Sequence, residues 1–216
     1  KKLLNHFDIH TKLISYHEHN KEERGKELIE LLKSGKNITL VTDAGTPGIS
    51  DPGEDLVKQA IKEGIVVTSA PGAAACITAL ILSGQSTRRF VFEGFLPTKK
   101  KEKDQVLSEL KNETRTIVLY EAPHRLLKTL EILYKTLGDR KITLAKELTK
   151  KHETLVNTTL KEAIERYKQE EVRGEYVLVL EGQNIEEVIK KKQNDWQEMT
   201  IEEHLSLYLN QGLSEK

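Results

Sequence analysis

Two short apolar runs, at residues 38–41 and 65–68, most constrain the fold of this 216-residue chain. Each is too short for a helix, and each precedes a loop containing glycine and proline and then a segment of apolar residues at helical spacing. Strand, loop and helix repeated in this order are typical of a parallel α/β sheet. We therefore predict that residues 1–84 form an α/β domain with a parallel sheet.

The same order restarts after the polar segment 83–89, where we place a domain boundary. Two predicted strands follow each other directly around Thr149, which indicates a mixed sheet in a second α/β domain over residues 85–182. The lysine-rich residues 183–216 are predicted to form a helical appendix. Further strands are predicted at residues 90–92, 117–120, 142–146, 154–158 and 176–180.

Composition excludes several classes of protein. Hydrophobic residues make up 37% and charged residues 31%, which favours a packed core over disorder. Lys plus Arg and Asp plus Glu both count 34, so any nucleic-acid binding must depend on local basic patches. Cys76 is the only cysteine, which excludes an internal disulfide and a cysteine metal cluster, and no metal-ligand spacing is present. No apolar run is long enough to span a bilayer and no export signal is visible, so we expect a cytoplasmic location.

The most informative segment is residues 43–53, Asp-Ala-Gly-Thr-Pro-Gly-Ile-Ser-Asp-Pro-Gly, which follows the first predicted strand. Open α/β sheets bind ligands at the carboxyl ends of their strands. The glycines permit close approach of the backbone to a ligand, and Asp43 is able to accept hydrogen bonds from a ribose or an amino group. We interpret the segment as a ligand-binding loop rather than a plain turn cluster. It matches neither the P-loop nor the dinucleotide fingerprint.

Two further segments carry candidate functional side chains. Residues 120–125, Tyr-Glu-Ala-Pro-His-Arg, follow a predicted strand and open a helix, whose positive end favours anionic groups. From the residues alone, His124 is either a surface residue or a catalytic one. Residues 145–153 form either a solvated loop or a basic rim that contacts phosphates. A weaker basic patch comprises Lys99, Lys100, Lys101 and Lys103.

Six segments in order, at residues 41–53, 70–75, 92–97, 120–125, 146–150 and 174–182, resemble the ribosomal RNA small subunit methyltransferase I family. This family belongs to the tetrapyrrole-methylase superfamily. The resemblance implies S-adenosylmethionine-dependent methylation of a cytidine ribose 2′-hydroxyl in the decoding region of 16S rRNA. It also implies a homodimer, a cofactor bound between the two domains, and a strand and cofactor loop upstream of the first residue of this sequence.

The resemblance also implies the residues of the site. It predicts that the cofactor contacts Asp43, Ala44, Gly45, Thr46, Pro47, Ile49, Ser50 and Asp51 from the first domain, and Tyr120 and Ala122 from the second. Glu121, His124 and Glu147 are candidates for the catalytic base, and Arg125, Lys146, Lys150 and Lys151 for contacts to RNA. Two alternatives remain, a methyltransferase acting on a tetrapyrrole or other small molecule, and a non-catalytic remnant that binds RNA or forms dimers.

Overall fold

The computed structural model describes residues 2–186 and 188–190. The described chain divides into two compact units between Ala74 and Ala75. The first unit contains α1 (Lys2–His6), α2 (Lys21–Lys33) and α3 (Gly53–Lys62). The helices of the second unit are α4 (Ala75–Leu82), α5 (Lys100–Leu110), a 3₁₀ turn (Pro123–Arg125), α6 (Leu126–Leu137) and α7 (Leu160–Tyr167). Its strands are β1 (Phe90–Phe95), β2 (Thr116–Glu121), β3 (Lys141–Lys146), β4 (Thr154–Thr159) and β5 (Tyr176–Leu180).

In the first unit, α2 and α3 pack together through one apolar face of each helix. Leu28 and Ile29 of α2 bury against Leu56 and Ala60 of α3. Leu56 and Ala60 are four positions apart and therefore lie one above the other on α3, whereas the adjacent Leu28 and Ile29 together form a wider apolar stripe on α2. Lys21 joins the two helices at their edge with an ion pair of 2.6 Å to Asp55. The 43–53 loop lies between these two helices in the chain, and its last residue, Gly53, is the first residue of α3.

The two strands predicted in the first unit differ from the structure. Residues 38–41 and 65–68 form no strand within the described chain, because neither run has a neighbouring strand to complete a hydrogen-bonded ladder. Val41 is 71% exposed and Val66 is 92% exposed, so these side chains lack the cover that a buried strand requires. The division between the units also lies before α4, whereas the sequence placed that helix in the first domain.

The second unit contains the mixed sheet that the sequence predicted. Its strand order is β1-β2-β5-β3-β4, in which β1 and β2 are parallel and the other neighbours are antiparallel. All five residues of β5 are buried, as expected for a strand covered on both faces. The helical appendix predicted at 183–216 lies largely outside the described residues. None of the described helices is long and apolar enough to cross a membrane.

The sheet brings three strand ends to one edge. Because β5 runs antiparallel to both β2 and β3, its first residue, Tyr176, pairs with Glu121 on one side and with Lys146 on the other. The parallel neighbour β1 ends beside them, where Phe95 pairs with Tyr120. Candidate residues that are far apart in the sequence therefore lie along the same sheet edge.

A β-bulge interrupts β1 just before this edge. Phe92 pairs with Val118 and Gly94 pairs with Leu119, so Glu93 is an extra residue opposite β2. Gly94 has a φ of 60°, in the left-handed region that suits glycine. The bulge changes the face on which the last residues of β1 lie.

Candidate functional site

The loop at residues 43–53 is held in shape by one carboxylate. Both oxygens of Asp51 accept from the backbone N–H of Gly48 at 2.9 Å, and one of them also accepts from the N–H of Gly53 at 2.7 Å. Ser50, between these contacts, has a φ of 58°, which is rarely adopted by non-glycine residues. Asp51 therefore fixes the turn that leads into α3, and its hydrogen-bonding capacity is used within the loop.

The other end of the loop is fixed to residues 72–73. The backbone N–H and the hydroxyl of Thr46 both donate to the carbonyl of Ala73, at 2.9 and 3.1 Å. A Cβ on Gly72 would lie 2.8 Å from the Thr46 hydroxyl, which is closer than real Cβ contacts. Glycine is therefore required for this close approach, in agreement with the interpretation of the segment as a shaped loop.

The predicted cofactor residues of this loop differ in exposure. Asp43, Ala44, Gly45, Ile49 and Ser50 are exposed, and Thr46, Pro47 and Asp51 are half-buried. The Asp43 carboxylate at the start of the loop and the backbone of the exposed residues are therefore accessible to a ligand. The hydrogen bonds of Thr46 and Asp51 hold the loop in its conformation.

In the second unit, Tyr120 lies at the sheet edge among other aromatic rings. Its ring meets those of Phe92 and Phe95 edge to face, with centroids 4.9 and 5.7 Å away. Its hydroxyl accepts a hydrogen bond of 3.0 Å from the backbone N–H of Cys76 in the first turn of α4. Burial raises the pKa of Tyr120 to about 12, so the phenol stays protonated at neutral pH.

Glu121 is buried and its carboxylate is fully engaged. One oxygen accepts from the Thr129 hydroxyl at 2.5 Å, and the other accepts from the N–H of Ala122 at 2.8 Å and lies 3.4 Å from Nε of Arg125. The carboxylate therefore ties the end of β2 to α6. Its contacts suit a residue that positions the 120–125 segment, since none of its oxygens faces solvent.

The two side chains of the 3₁₀ turn have different surroundings. Arg125 is half-buried and donates from Nη2 to the carbonyl of Leu96 at 2.7 Å, in addition to its contact with Glu121. His124 is exposed to solvent at the same end of the sheet. Arg125 therefore connects the end of β1 to the end of β2, and His124 is the titratable side chain of this turn that is accessible.

Glu147, in the segment after β3, is hydrogen-bonded to the residue that precedes β5. The carboxylate of Glu147 accepts from the N–H of Glu175 at 2.9 Å and from Nζ of Lys150 at 3.0 Å, and these contacts lower the pKa of Glu147. A Cβ on Gly174 would lie 2.6 Å from Cγ of Glu147, so only glycine fits there. Lys146 is half-buried, whereas Lys151 is exposed.

Several contributors to this site carry no recognisable signal in the sequence. The Thr129 hydroxyl and the Cys76 backbone N–H act through contacts that only the folded sheet creates. The placement of Phe95 beside Tyr120 does have a signal in the sequence. An isolated glycine inside a strand pattern, here Gly94, suggests a bulge, and a bulge changes the face on which the next residues lie. Among the described residues, no group of three or more potential metal ligands is present.

Comparison with known proteins places these features in a family. Residues 1–164 match the family model described as Tetrapyrrole (Corrin/Porphyrin) Methylases. The protein named Ribosomal RNA small subunit methyltransferase I from Bacillus subtilis (strain 168) is 49% identical over all 216 residues, which are 74% of its length. The protein of the same name from Halalkalibacterium halodurans is 47% identical over the same span and the same share of its length. The chain belongs to the ribosomal RNA small subunit methyltransferase I family.

Solved structures support the tetrapyrrole-methylase fold. A diphthine synthase matches with a TM-score of 0.64 at 16% identity, covering 83% of this chain and 72% of its own. A uroporphyrin-III C-methyl transferase from Thermus thermophilus, complexed with S-adenyl homocysteine, matches with a TM-score of 0.55 at 17% identity, covering 77% and 75%. At these identities the matches establish the fold, and the α/β class predicted from the sequence is confirmed.

Family membership makes the chain an S-adenosylmethionine-dependent methyltransferase, as the sequence predicted. The residues present fit such a cofactor. The close approach of Thr46 to Ala73 would be blocked by a Cβ on Gly72, and the adjoining exposed backbone suits a ligand with amino, carboxylate and ribose groups.

Proposed function

We propose that this chain methylates the 2′-hydroxyl of a cytidine ribose in the decoding region of 16S rRNA, in the cytoplasm. The observation that carries the proposal is the 49% identity, along the whole chain, to a relative named as a ribosomal RNA small subunit methyltransferase. The basic side chains after β3 supply the positive charge that a phosphate backbone needs, although the chain as a whole is neutral.

The cofactor is assigned to the loop of the first unit and to the end of β2. Asp43 and the exposed backbone of residues 44–45 and 49–50 bind its polar groups, while Asp51 and Thr46 keep the loop in the binding conformation. Tyr120 and Ala122 contribute from the second unit. When bound, S-adenosylmethionine supplies a methyl group that its sulfonium already makes electrophilic, so the main task of the protein is orientation.

The contacts of the three candidate bases favour His124. Both oxygens of Glu121 are buried and already accept hydrogen bonds, so they are not accessible to a ribose hydroxyl. The pKa of Glu147 is lowered by its backbone and lysine donors, so this carboxylate is a poor proton acceptor at neutral pH. His124 is exposed beside the end of β2, where its imidazole is able to reach a bound ribose and accept a proton. We assign to its imidazole the proton that the ribose hydroxyl loses as its oxygen attacks the methyl carbon. Glu121 is assigned a positioning role.

Contacts to RNA are assigned mainly to the lysines after β3. Lys146 and Lys151 are available for phosphates, whereas Lys150 is engaged with Glu147 and Glu175 at 3.0 and 2.8 Å. Arg125 is held by the Leu96 carbonyl and by Glu121, so it acts chiefly by shaping the turn. A homodimer is part of the proposal, and light scattering of the purified chain at several concentrations measures it directly.

The function is tested with unmethylated 30S particles and labelled S-adenosylmethionine. We expect label in 16S rRNA, and nuclease digestion should release it as 2′-O-methylcytidine. Label on a base, or transfer to a porphyrinogen instead of RNA, would establish a different substrate. Calorimetry with S-adenosylhomocysteine runs beside this assay, and absence of binding heat together with absence of transfer would support a non-catalytic remnant.

A further inference from the structure

Phe95 presents an aromatic ring to solvent at the carboxyl end of β1. It is 48% exposed, although it lies beside the rings of Phe92 and Tyr120 in the sheet. Single exposed apolar side chains are common on proteins and need no explanation by themselves. The way in which this ring is held distinguishes it from such residues.

The bulge in β1 orients the ring. In a regular strand, residues 92 and 95 would lie on opposite faces, because side chains alternate. The extra residue Glu93 restores them to the same side, so that both phenylalanine rings contact Tyr120. One residue later the chain is fixed again, since Leu96 is buried and its carbonyl accepts from Arg125. The ring is therefore exposed and fixed by its neighbours on both sides.

A cluster of lysines follows within a few residues of the ring. The lysine cluster comprises Lys99, Lys100, Lys101 and Lys103 at the start of α5. Five residues extend at most about 18 Å, so Lys100 is within reach of any chain bound across Phe95. Within the described residues, Lys99 pairs with Glu102 at 3.1 Å and the other three form no ion pair. Cations are not stabilised by the positive end of a helix, so helix stability does not account for their position.

We propose that Phe95 and the lysine cluster together bind single-stranded RNA, with one base stacked on the Phe95 ring and phosphates beside the lysines. A fixed aromatic ring next to unpaired lysines is the combination that single-stranded nucleic acid requires. Every base offers a flat face for stacking, and the lysine cluster adds local positive charge to that of the lysines after β3, in a chain that is neutral as a whole. This inference rests on the proposed rRNA substrate and names the surface that holds it.

Stacking is tested directly with tryptophan at this position. The sequence has one tryptophan, Trp196, so F95W in a W196F background reports on the site alone. We expect a ten-nucleotide oligoribocytidylate to quench its fluorescence, and an abasic ribose-phosphate chain of equal length to leave it unchanged. Equal quenching by both chains, or by neither, would overturn base stacking at Phe95.

Steady-state kinetics distinguish a role of Phe95 in RNA binding from a role in cofactor binding. F95A should raise KM for 30S particles about tenfold or more, while F95Y retains binding and the affinity for S-adenosylhomocysteine is unchanged. Tyr134→Ala, at an exposed tyrosine of α6, is the matched control and should leave KM unchanged. Loss of cofactor affinity in F95A with an unchanged KM for RNA would assign the ring to the cofactor and overturn the proposal.

The lysines are tested by the salt dependence of oligoribocytidylate binding. Replacing Lys100, Lys101 and Lys103 with alanine should reduce the slope of log affinity against log salt by about 2, because each single-strand phosphate contact contributes about 0.7. The same change at Lys128, Lys135 and Lys161, all exposed on α6 and α7, is the control. An equal reduction in both triple variants would show non-specific attraction. These binding measurements need no methyl transfer, so they remain decisive even if the 2′-hydroxyl is not the target.

Discussion

The hydroxyl of Tyr120 accepts a hydrogen bond from the backbone N–H of Cys76, which connects the end of β2 to the first turn of α4. N–H groups in the first turn of a helix have no partner within the helix, so the phenol satisfies a donor that would otherwise be left unpaired. The bond joins a residue assigned to the cofactor with a helix that the sequence alone placed in the other domain.

Tyr120→Phe should remove this bond while retaining the ring and its contacts with Phe92 and Phe95. We expect a loss of about 1 kcal/mol in the free energy of unfolding. For a chain of this size the melting temperature should fall by roughly 2–4 °C. Thermal unfolding followed by circular dichroism measures the change, with Tyr134→Phe as the control. Identical melting of the variant and the parent would show that the bond contributes nothing.

Glu121→Gln should separate positioning from proton transfer. An amide cannot accept at both ends as the carboxylate does from Thr129 and Ala122, so we expect a loss of about 2 kcal/mol in stability and lower turnover. Because Glu121 is not the base, the shape of the pH–rate profile should be unchanged. His124→Gln should instead change the shape of the profile, because it removes the proposed proton acceptor. A profile altered by E121Q and unaltered by H124Q would reverse the two assignments.

Asp51→Ala should release the 43–53 loop. The substitution deletes the acceptors for the N–H groups of Gly48 and Gly53, and the positive φ of Ser50 then has little to maintain it. We expect affinity for S-adenosylhomocysteine, measured by calorimetry, to fall about tenfold or more because the loop must be ordered on binding. The control variant Glu54→Ala removes a neighbouring exposed carboxylate and should bind S-adenosylhomocysteine with unchanged affinity. Equal affinities in the two variants would indicate that Asp51 is not needed to organise the loop.

Glu113→Gln should reveal a stabilising ion pair through its pH dependence. The Arg115 guanidinium donates to this carboxylate at 2.6 and 2.9 Å and lowers the pKa of Glu113 to about 2. A carboxyl with a lowered folded pKa stabilises the protein above its unfolded pKa, and this contribution is lost as the pH falls through the folded value. The variant should therefore be less stable by about 1 kcal/mol at pH 7, with a difference that shrinks between about pH 4.5 and pH 2. A constant difference down to pH 2 would contradict this origin.

The sequence predicts the strands of the second unit well, because its buried strands are continuous apolar runs. The apolar runs at residues 117–120 and 176–180 lie within β2 and β5, where burial on both faces demands continuous apolar side chains. The paired strands around Thr149 are confirmed as β3 and β4. These patterns depend on composition over a few residues, which is what sequence reasoning reads.

The first unit shows where such reasoning stops. Residues 38–41 and 65–68 have the composition of strands, yet a strand also needs a neighbour, and composition does not reveal whether one is present. The sequence also does not reveal which of the candidate carboxylates is free to accept a proton, because this depends on contacts made in the folded protein. Glu121 and Glu147 look like equal candidates in the sequence, and only their contacts with Thr129 and Glu175 distinguish them from a free base.

The bulge in β1 makes the side on which Phe95 lies depend on a neighbouring glycine. If every residue of β1 paired in turn with β2, Glu93 would stand opposite Leu119 and Phe95 would lie on the other side of the sheet from Phe92. The bulge includes the positive φ of Gly94, which other residues rarely adopt. Replacement of Gly94, with Phe95 itself unchanged, is therefore a change by which relatives of this protein could acquire a different choice of RNA.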